Sequence, residues 1–333
     1  MRFAAIGLDH RHIYDLTEHL LAAGLECAGY WPETSAPVVL EGFRKRFPHV
    51  PARDKAAMLA DKSIAMIALA AIPSDRCAMA IEAMTHGKDV LCDKPGVTTL
   101  GQLAELEQAC RDTGRLFSIC FGERFLSPSS AVALEIVQGG GIGRLVQFLG
   151  IGPHRLNRAT RPAWFFERKK FGGILNDLAI HSIDVARWLW GSEPIAVTAS
   201  EGCLRFTEYP GFTDHAEVFL EFADSSTAMI RVDWLTPEPF PSHGDGRQFY
   251  ECTNGTIEVL SAPDIHTLGR GDIRYDPWSC PRESIAPAPP PATLYEEFLA
   301  LCHGASQAEL LPGDGFRSTR LTLRAREAAR RRR

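Results

Sequence analysis

Three ionisable side chains stand at helical spacing in a largely apolar segment that runs from Gly172 to Trp190. Asp177, His181 and Asp184 stand at positions i, i+4 and i+7, which share one side of an α-helix because each residue turns it by about 100°. A helix that is apolar nearly all round is a buried helix. We therefore expect a carboxylate–imidazole–carboxylate stripe that faces a protein interior or the floor of a cleft.

The burial of this stripe has more than one interpretation. Charged groups are buried when they are paired or used, so the stripe is either a core histidine held by two carboxylates or a site that exchanges protons near neutral pH. The three side chains also carry donor atoms that suit a divalent cation. Proton transfer explains them equally well, and we therefore predict no metal.

A second group of candidates follows the first predicted strand, Phe3 to Ile6. The chain there reads Gly7-Leu8-Asp9-His10-Arg11-His12 and enters a predicted helix, which is where a dinucleotide-binding unit carries G-x-G-x-x-G. Only the first glycine is present, and Asp9 and His12 occupy the second and third glycine positions. The alternative is an ordinary strand–helix turn.

The end of the second predicted strand also departs from a dinucleotide-binding pattern. An acid that grips the adenosine ribose is expected there, but the chain reads Gly29-Tyr30-Trp31-Pro32. Glu33 is the acid that could serve from the loop. Trp31 is either a packing residue or a platform for the adenine ring.

A third group follows the next two predicted strands. Ala70-Ala71-Ile72-Pro73 comes after one of them and Cys92-Asp93-Lys94-Pro95-Gly96 after the other. Because ligands of parallel sheets bind beyond the carboxyl ends of the strands, the nicotinamide half of a dinucleotide would rest here. Lys94 is then placed to share a proton or to hold a substrate oxygen. The alternative is a surface lysine in a tight turn.

The elements that position these groups form two predicted domains. Residues 1–120 alternate continuous apolar strands with helices, which predicts a parallel Rossmann-type sheet covered on both faces. Residues 121–333 carry strands joined by turns such as Asn254-Gly255, which predicts an α+β domain with a largely antiparallel open sheet. A proline-rich connector at 286–292 precedes helices within 293–330.

Composition limits the classes of function. With 333 residues, 45% hydrophobic and 23% charged, the chain is predicted to be globular, and its net charge of −5 argues against nucleic-acid binding. No apolar run approaches the length of a bilayer span or of a signal peptide, so we expect a cytoplasmic protein without membrane contact. The nine cysteines show no C-x-x-C spacing, which indicates neither a zinc site nor a disulfide framework.

Taken together, these motifs resemble the Gfo/Idh/MocA oxidoreductases. The resemblance rests on the turn at Gly7, on Val90-Leu91-Cys92-Asp93-Lys94-Pro95 against the family's E-K-P, and on Gly172 to Asp184 against its G-G-x-x-x-D-x-x-x-H-x-x-D. It spans roughly residues 1–190 and, more loosely, the later sheet. The chain departs from the family in the lost glycines, in Asp93 for Glu, and in Arg76, where many relatives carry His.

The resemblance implies NAD- or NADP-linked hydride transfer on a sugar, an inositol or a related polyol. Lys94 would hydrogen-bond the substrate hydroxyl and the nicotinamide ribose, and His181 would be the acid/base at the reacting oxygen. Asp177 would orient the substrate or His181, whereas Asp184 looks like a buried partner of the helix. The resemblance also implies that the open sheet packs against another subunit, so we expect a homo-oligomer, either a dimer or a tetramer.

The predicted cofactor site gathers residues from the carboxyl ends of the first four strands: Gly7, Leu8, Asp9, His10, His12, Trp31, Ala70, Ala71, Pro73, Asp93, Lys94 and Pro95. The predicted substrate contacts are Lys94, Asp177 and His181, together with Arg158 and Trp164 from the polar segment before the helix. Two other functions stay open from the sequence. One is a non-catalytic dinucleotide-sensing regulator, and the other is an NAD-assisted glycoside hydrolase or lyase.

Overall fold

The computed structural model describes residues 1–121, 127–260, 273–277, 283–285, 294–304 and 313–331. The chain divides into two compact units. The first comprises Met1–Phe121, Pro162–Gly172 and Leu294–Arg320, and the second Gly122–Arg161, Gly173–Thr293 and Leu321–Arg333. The predicted second domain takes in everything after residue 120, whereas in the structure 162–172 and 294–320 belong to the first unit. The predicted connector at 286–292 lies outside the described residues.

The first unit contains a parallel sheet of five strands in the order β2-β1-β3-β4-β5. These strands are β1 (Arg2–Leu8), β2 (Glu26–Tyr30), β3 (Ile64–Ala70), β4 (Asp89–Asp93) and β5 (Phe117–Cys120). Almost every residue of β1, β3 and β4 is buried. Strands covered on both faces have continuous apolar sequences, which is why the sequence identified this sheet. The predicted parallel Rossmann-type sheet is confirmed.

One more strand of the usual pattern survives as a single bridge. Tyr30, at the end of β2, forms an isolated parallel bridge with Ala52. If this bridge is counted as the third strand, the order becomes the 3-2-1-4-5-6 of dinucleotide-binding sheets. The order reverses beside β1, and ligands of such sheets bind at this switch point, beyond the carboxyl ends of the strands.

Helices connect these strands and continue through the rest of the chain. They are α1 (His12–Ala22), α2 (Pro37–Arg46), α3 (Lys55–Ala60), α4 (Arg76–Thr85), α5 (Leu100–Thr113), α6 (Pro128–Gln138), α7 (Arg168–Phe171), α8 (Ile180–Trp190), α9 (Leu294–Cys302) and α10 (Asp314–Arg331). Short 3-10 helices lie at Arg158–Thr160 and Ala163–Phe166. Within the described ranges, no helix is both long enough and apolar enough to cross a membrane.

The second unit is built on a mixed sheet whose eight described strands run in the order β13-β12-β11-β10-β6-β9-β8-β7. They are β6 (Leu145–Pro153), β7 (Ala196–Gly202), β8 (His215–Glu221), β9 (Thr227–Asp233), β10 (Arg247–Cys252), β11 (Gly255–Leu260), β12 (Ile273–Pro277) and β13 (Glu283–Ile285). Only the described pair β6 and β9 is parallel, and the other neighbours are antiparallel. The predicted largely antiparallel second sheet is confirmed.

The apolar segment with the ionisable stripe differs from a regular α-helix in its first turn. Gly172 and Gly173 both have positive φ, +92° and +94°, and the chain then forms a π-helix over Leu175–Ala179 before α8 begins. A π-helix closes its hydrogen bonds at i→i+5, so each residue turns less than in an α-helix. The expectation of one regular α-helical stripe is therefore wrong at Asp177, which lies in the π-helical turn. The π-helix packs on β8 and β9, and α8 packs on β6 and β9.

Gly7 marks a close approach between the carboxyl ends of β1 and β3. Its φ is +70°, and a Cβ built on it would lie 2.5 Å from the Cβ of Ala71. Side chains essentially never come this close, so the position requires glycine both for its backbone conformation and for its space.

We predict that Gly7→Ala lowers the free energy of unfolding by about 2–6 kcal/mol, because strained backbone and overpacking each contribute roughly 1–3 kcal/mol. Gly114→Ala is the matched control, since Gly114 also has positive φ, +65°, but a Cβ there would meet no atom within 4 Å. Urea unfolding of both variants measures the difference. Equal losses would show that the contact with Ala71 contributes nothing.

Candidate active site

A buried ion pair organises the carboxyl ends of β3 and β4. The Arg76 side chain is fully buried, and its Nη2 donates to Oδ2 of Asp93 over 2.8 Å. Its Nε donates to the carbonyl of Ala71 (2.7 Å), and its Nη1 donates to the carbonyls of Asp93 (2.7 Å) and Pro95 (2.9 Å). One guanidinium therefore ties the turn after β3 to the turn after β4.

This ion pair also fixes the backbone around Lys94. The carbonyls of Asp93 and Pro95, on either side of Lys94 in the chain, both accept from Arg76. Lys94 itself is buried, with 6% of its surface exposed. The structure thus places the predicted lysine in a rigid, buried turn at the carboxyl end of β4, and a surface lysine in a tight turn does not describe it.

Two histidines from the turn after β1 meet the same carboxylate. His12 Nδ1 lies 2.7 Å from Oδ1 of Asp93, and His10 Nδ1 lies 3.2 Å from Oδ2. The two imidazole rings are in edge contact, with centroids 4.3 Å apart. Asp93 therefore accepts from three side chains that come from two different turns. Three of the predicted cofactor residues, His10, His12 and Asp93, form one network with Arg76.

The geometry of this network explains it without a metal ion. His10, His12 and Asp93 are the one group in the described part of the chain whose donor atoms lie close enough together, within 4.8 Å, to hold a cation. However, both Nδ1 atoms face carboxylate oxygens at hydrogen-bond distance, and Arg76 already neutralises the charge of Asp93. We interpret the cluster as a hydrogen-bonded network.

Neighbouring charges determine the pKa of Asp93, whereas burial determines the pKa of His10. Burial alone would raise the pKa of Asp93, but His12, Arg76 and His10 attract its ionised form and hold the pKa well below its usual range. Burial lowers the pKa of His10 to about 3, with repulsion from His12 adding to the effect and Asp93 opposing it. His10 is therefore a neutral hydrogen-bonding group at physiological pH.

The turn after β1 also reaches the loop after β2. Oδ1 of Asp9 accepts hydrogen bonds from Thr34 Oγ1 (2.8 Å), Ser35 N (2.7 Å) and Ser35 Oγ (2.7 Å). Trp31 directly follows β2, and Nζ of Lys55 from α3 lies 5.0 Å from the centroid of its indole ring, which gives that ring a cationic partner.

The predicted substrate residues fall in both units. Trp164 belongs to the first unit, where it is buried and its ring centroid lies 6.4 Å from that of His10. In the second unit Asp177 is buried and His181 is half-buried, on the π-helix and on the first turn of α8. Arg158 pairs with Glu208 over 2.8 Å and lines an open cavity of about 1080 Å³. Asp177 and His181 are not among the residues that line this cavity.

The sequence did not identify the roles of Arg76, Thr34 and Ser35. The signal for Arg76 was its position just after β3, where the family resemblance expected His. A lone arginine and an acid 17 positions away give no periodic pattern, so only the fold reveals their pairing. Thr34 and Ser35 have the residue types of a turn, and nothing in their spacing points to Asp9.

The first unit fits a dinucleotide on its own geometry. Gly7 lets the backbone make the tight turn that a Cβ would obstruct, and α1 begins at His12, directly after this turn. The His12 side chain, 43% exposed, is accessible to a ligand there. The turn at Gly7 thus keeps the first glycine of dinucleotide-binding sheets, although the other two glycines of the pattern are absent.

Comparison with known proteins agrees with this geometry. A model of an oxidoreductase family with an NAD-binding Rossmann fold matches residues 10–121, and a model of the GFO/IDH/MocA C-terminal domain matches residues 131–258. A crystal structure from Erwinia carotovora atroseptica, of a protein assigned as an oxidoreductase, superposes with a TM-score of 0.90 at 33% identity, over 99% of this chain and 98% of that one.

Several relatives of this chain are named as inositol dehydrogenases. The scyllo-inositol 2-dehydrogenase (NAD(+)) of Bacillus subtilis strain 168 is 27% identical over 244 residues, which is 71% of this chain and 68% of the relative. The inositol 2-dehydrogenase of Rhizobium meliloti strain 1021 is 31% identical over 165 residues, which is 47% of each chain.

The low pKa of His10 predicts a measurable pH dependence of stability. An unfolded histidine takes up a proton below about pH 6.5, whereas folded His10 stays neutral to about pH 3. The unfolded state then binds the extra proton, so the free energy of unfolding falls as the pH is lowered from 6.5, by up to about 1.4 kcal/mol per pH unit. His10→Gln should make the decline between pH 7.5 and 5 shallower by that amount, as measured by urea unfolding.

His49→Gln is the control for this prediction, since it removes an exposed histidine of the same unit. Above pH 5 the carboxyl of Asp93 is ionised in both the folded and the unfolded states, so it adds no slope in the range measured. Identical pH slopes for wild type and His10→Gln would contradict the neutral state of folded His10.

Proposed function

Because the chain belongs to the Gfo/Idh/MocA family of oxidoreductases with an NAD-binding Rossmann fold, we propose that it transfers a hydride between a nicotinamide cofactor and a secondary alcohol or carbonyl of a sugar, an inositol or a related polyol. The observation that carries the proposal is the buried turn around Lys94, which Arg76 holds at the carboxyl end of β4. The inositol dehydrogenases among the relatives support the substrate class.

The roles of the side chains follow from the proton balance of the reaction. The bound nicotinamide supplies the acceptor for the hydride that leaves the carbinol carbon. The hydroxyl proton must leave as well, so a base has to reach that oxygen, and His181 is the imidazole that takes it. Lys94 donates a hydrogen bond to a substrate hydroxyl and to the nicotinamide ribose. Asp177 orients the substrate or His181.

Lys94 and His181 gain support from their surroundings. A base works best when its position is fixed, and both side chains are carried by rigid backbone: Lys94 by the contacts of Arg76, and His181 by the first turn of α8. The buried carboxylate of Asp177 lies on the preceding π-helical turn, and such turns occur frequently at functional sites.

We expect Lys94→Ala and His181→Ala each to lower kcat by at least about a hundredfold, which is the low end for a lost proton-transfer group. Reduction of NAD and of NADP by a panel of inositols and sugars is followed through the absorbance of the reduced nicotinamide. Lys62→Ala and His49→Ala, which change exposed residues of the same types, are the controls. Near-wild-type turnover in either active-site variant would refute its role.

The same assay separates the remaining functions. A dinucleotide-sensing regulator would bind the cofactor and reduce none of it over the whole panel. An NAD-assisted glycoside hydrolase or lyase would convert a glycoside without net reduction of the cofactor. Net reduction in proportion to substrate oxidised is the result that the proposal requires.

We also propose a cytoplasmic homo-oligomer, a dimer or a tetramer, that acts on a small molecule. Support for self-association comes from an apolar row on the second sheet. Phe249, Leu149, Met229 and Phe219 stand opposite one another on β10, β6, β9 and β8. All four are at least partly exposed, and they alternate along their strands with buried residues that face the other side. An exposed apolar row of this kind suits contact with a second copy of the chain.

Met229→Glu places a charge in the centre of this row and should shift the protein toward the monomer in sedimentation-velocity experiments, since a buried unpaired charge opposes association. Leu204→Glu is the control, because Leu204 is 84% exposed and lies outside the strands. A wild type that stays monomeric, or a Met229→Glu protein with unchanged mass, would contradict the proposed interface.

A further inference from the structure

Asp9 occupies a position from which a carboxylate can replace the acid that β2 lacks. It stands at the second glycine position of the turn after β1, and it is 7% exposed. Its three hydrogen bonds go to Thr34 and Ser35, so it bridges the turn after β1 to the loop after β2. In a dinucleotide-binding sheet the adenosine ribose lies beside these same two segments, where an acid normally binds its hydroxyls.

The two oxygens of Asp9 have different surroundings. All three donors reach Oδ1, and in the part of the chain that the structure describes Oδ2 accepts none. A carboxylate that is anchored through one oxygen has a fixed orientation and keeps the acceptor sites of the other. Two neighbouring hydroxyls of a ribose are the donors that match such an oxygen.

In the loop after β2, the hydrogen-bond donors of Thr34 and Ser35 that could hold a phosphate already have acceptors within the unit. The hydroxyls of Ser35 and Thr34 are both directed to Asp9, and Thr34 Oγ1 also lies 2.7 Å from the carbonyl of Leu8. The backbone N–H of Ser35 is bonded to Asp9 as well. A 2′-phosphate at this place would therefore meet a carboxylate and donors that are already in use.

The cations near the end of β2 are also engaged. Lys55 pairs with Glu82 over 2.8 Å, and Arg53 pairs with Asp61 over 3.1 Å. Arg44 donates to the hydroxyl of Tyr30. A phosphate-binding loop presents cations toward its ligand, and these three side chains instead have partners within the unit.

We propose that Asp9 binds the ribose hydroxyls of the adenosine half and makes the enzyme selective for NAD over NADP. The inference rests on the proposed nicotinamide-dependent function. It assigns the binding of the ribose hydroxyls to the turn after β1, whereas in most dinucleotide-binding sheets an acid at the end of β2 binds them. Asp9 is thus a specificity-determining residue, which explains why an acid at the second glycine position is compatible with cofactor binding.

The test compares NADH and NADPH on the same protein preparation by isothermal titration calorimetry. We expect wild type to bind NADH at least tenfold more tightly than NADPH. Asp9→Asn keeps the size of the side chain and an oxygen that can accept from Ser35, but it removes the charge. It should reduce the ratio of the two dissociation constants by about tenfold or more, which corresponds to the loss of one charge-assisted hydrogen bond. Asp9→Glu should retain the preference for NADH.

Glu33→Gln is the matched control, because Glu33 is an exposed acid on the loop that Asp9 contacts. Since both cofactors are titrated against one preparation, a partial loss of folded protein leaves the ratio unchanged. An unchanged ratio in Asp9→Asn overturns the role of Asp9, and a ratio that changes only in Glu33→Gln assigns the ribose to Glu33. If wild type binds neither NADH nor NADPH, the proposed function itself is refuted.

Discussion

The arrangement of the first unit depends on the buried pair between Arg76 and Asp93. Two charges in an apolar interior are stable only if nearly all their hydrogen-bonding capacity is satisfied, and here the guanidinium meets three carbonyls and the carboxylate meets three side chains. Removing one partner of such a pair costs about 3–5 kcal/mol, because the other charge is left buried and alone. This pair holds the turn that carries Lys94 through Arg76, and it holds the two histidines after β1 through Asp93.

The fold was predictable because its signals are local. The apolar runs of β3 and β4 identify buried parallel strands, and Asn254-Gly255 identifies the hairpin between β10 and β11. Long-range pairings were not predictable in this way. Nothing local indicates that β6 pairs in parallel with β9 and antiparallel with β10, or that 162–172 and 294–320 belong to the first unit, because these arrangements join distant parts of the chain.

The candidate site was predictable to a smaller extent. Residue types at the strand ends indicated where a dinucleotide would bind, and the structure connects several of them through Asp93 and Asp9. What the sequence lacked was the direction of each side chain. His12 and Asp9 stand in place of glycines, which counts against cofactor binding in a pattern search. In the structure, however, both are hydrogen-bonded within the unit and leave the turn at Gly7 intact.

The π-helical turn at Leu175–Ala179 shows why sequence periodicity alone predicted a regular α-helix for this segment. All five residues of this segment are buried, so no alternation of buried and exposed positions distinguishes a backbone that closes at i→i+4 from one that closes at i→i+5. A π-helical turn holds one more residue than the α-helical turn that would replace it. The rotation of α8 about its own axis therefore depends on whether this one additional residue is present. Deleting one residue between Gly173 and Ile180 would rotate His181 and the rest of α8 by about 100° with respect to the strands beneath them, so an indel at this point would re-aim a whole helix without altering any side chain on it.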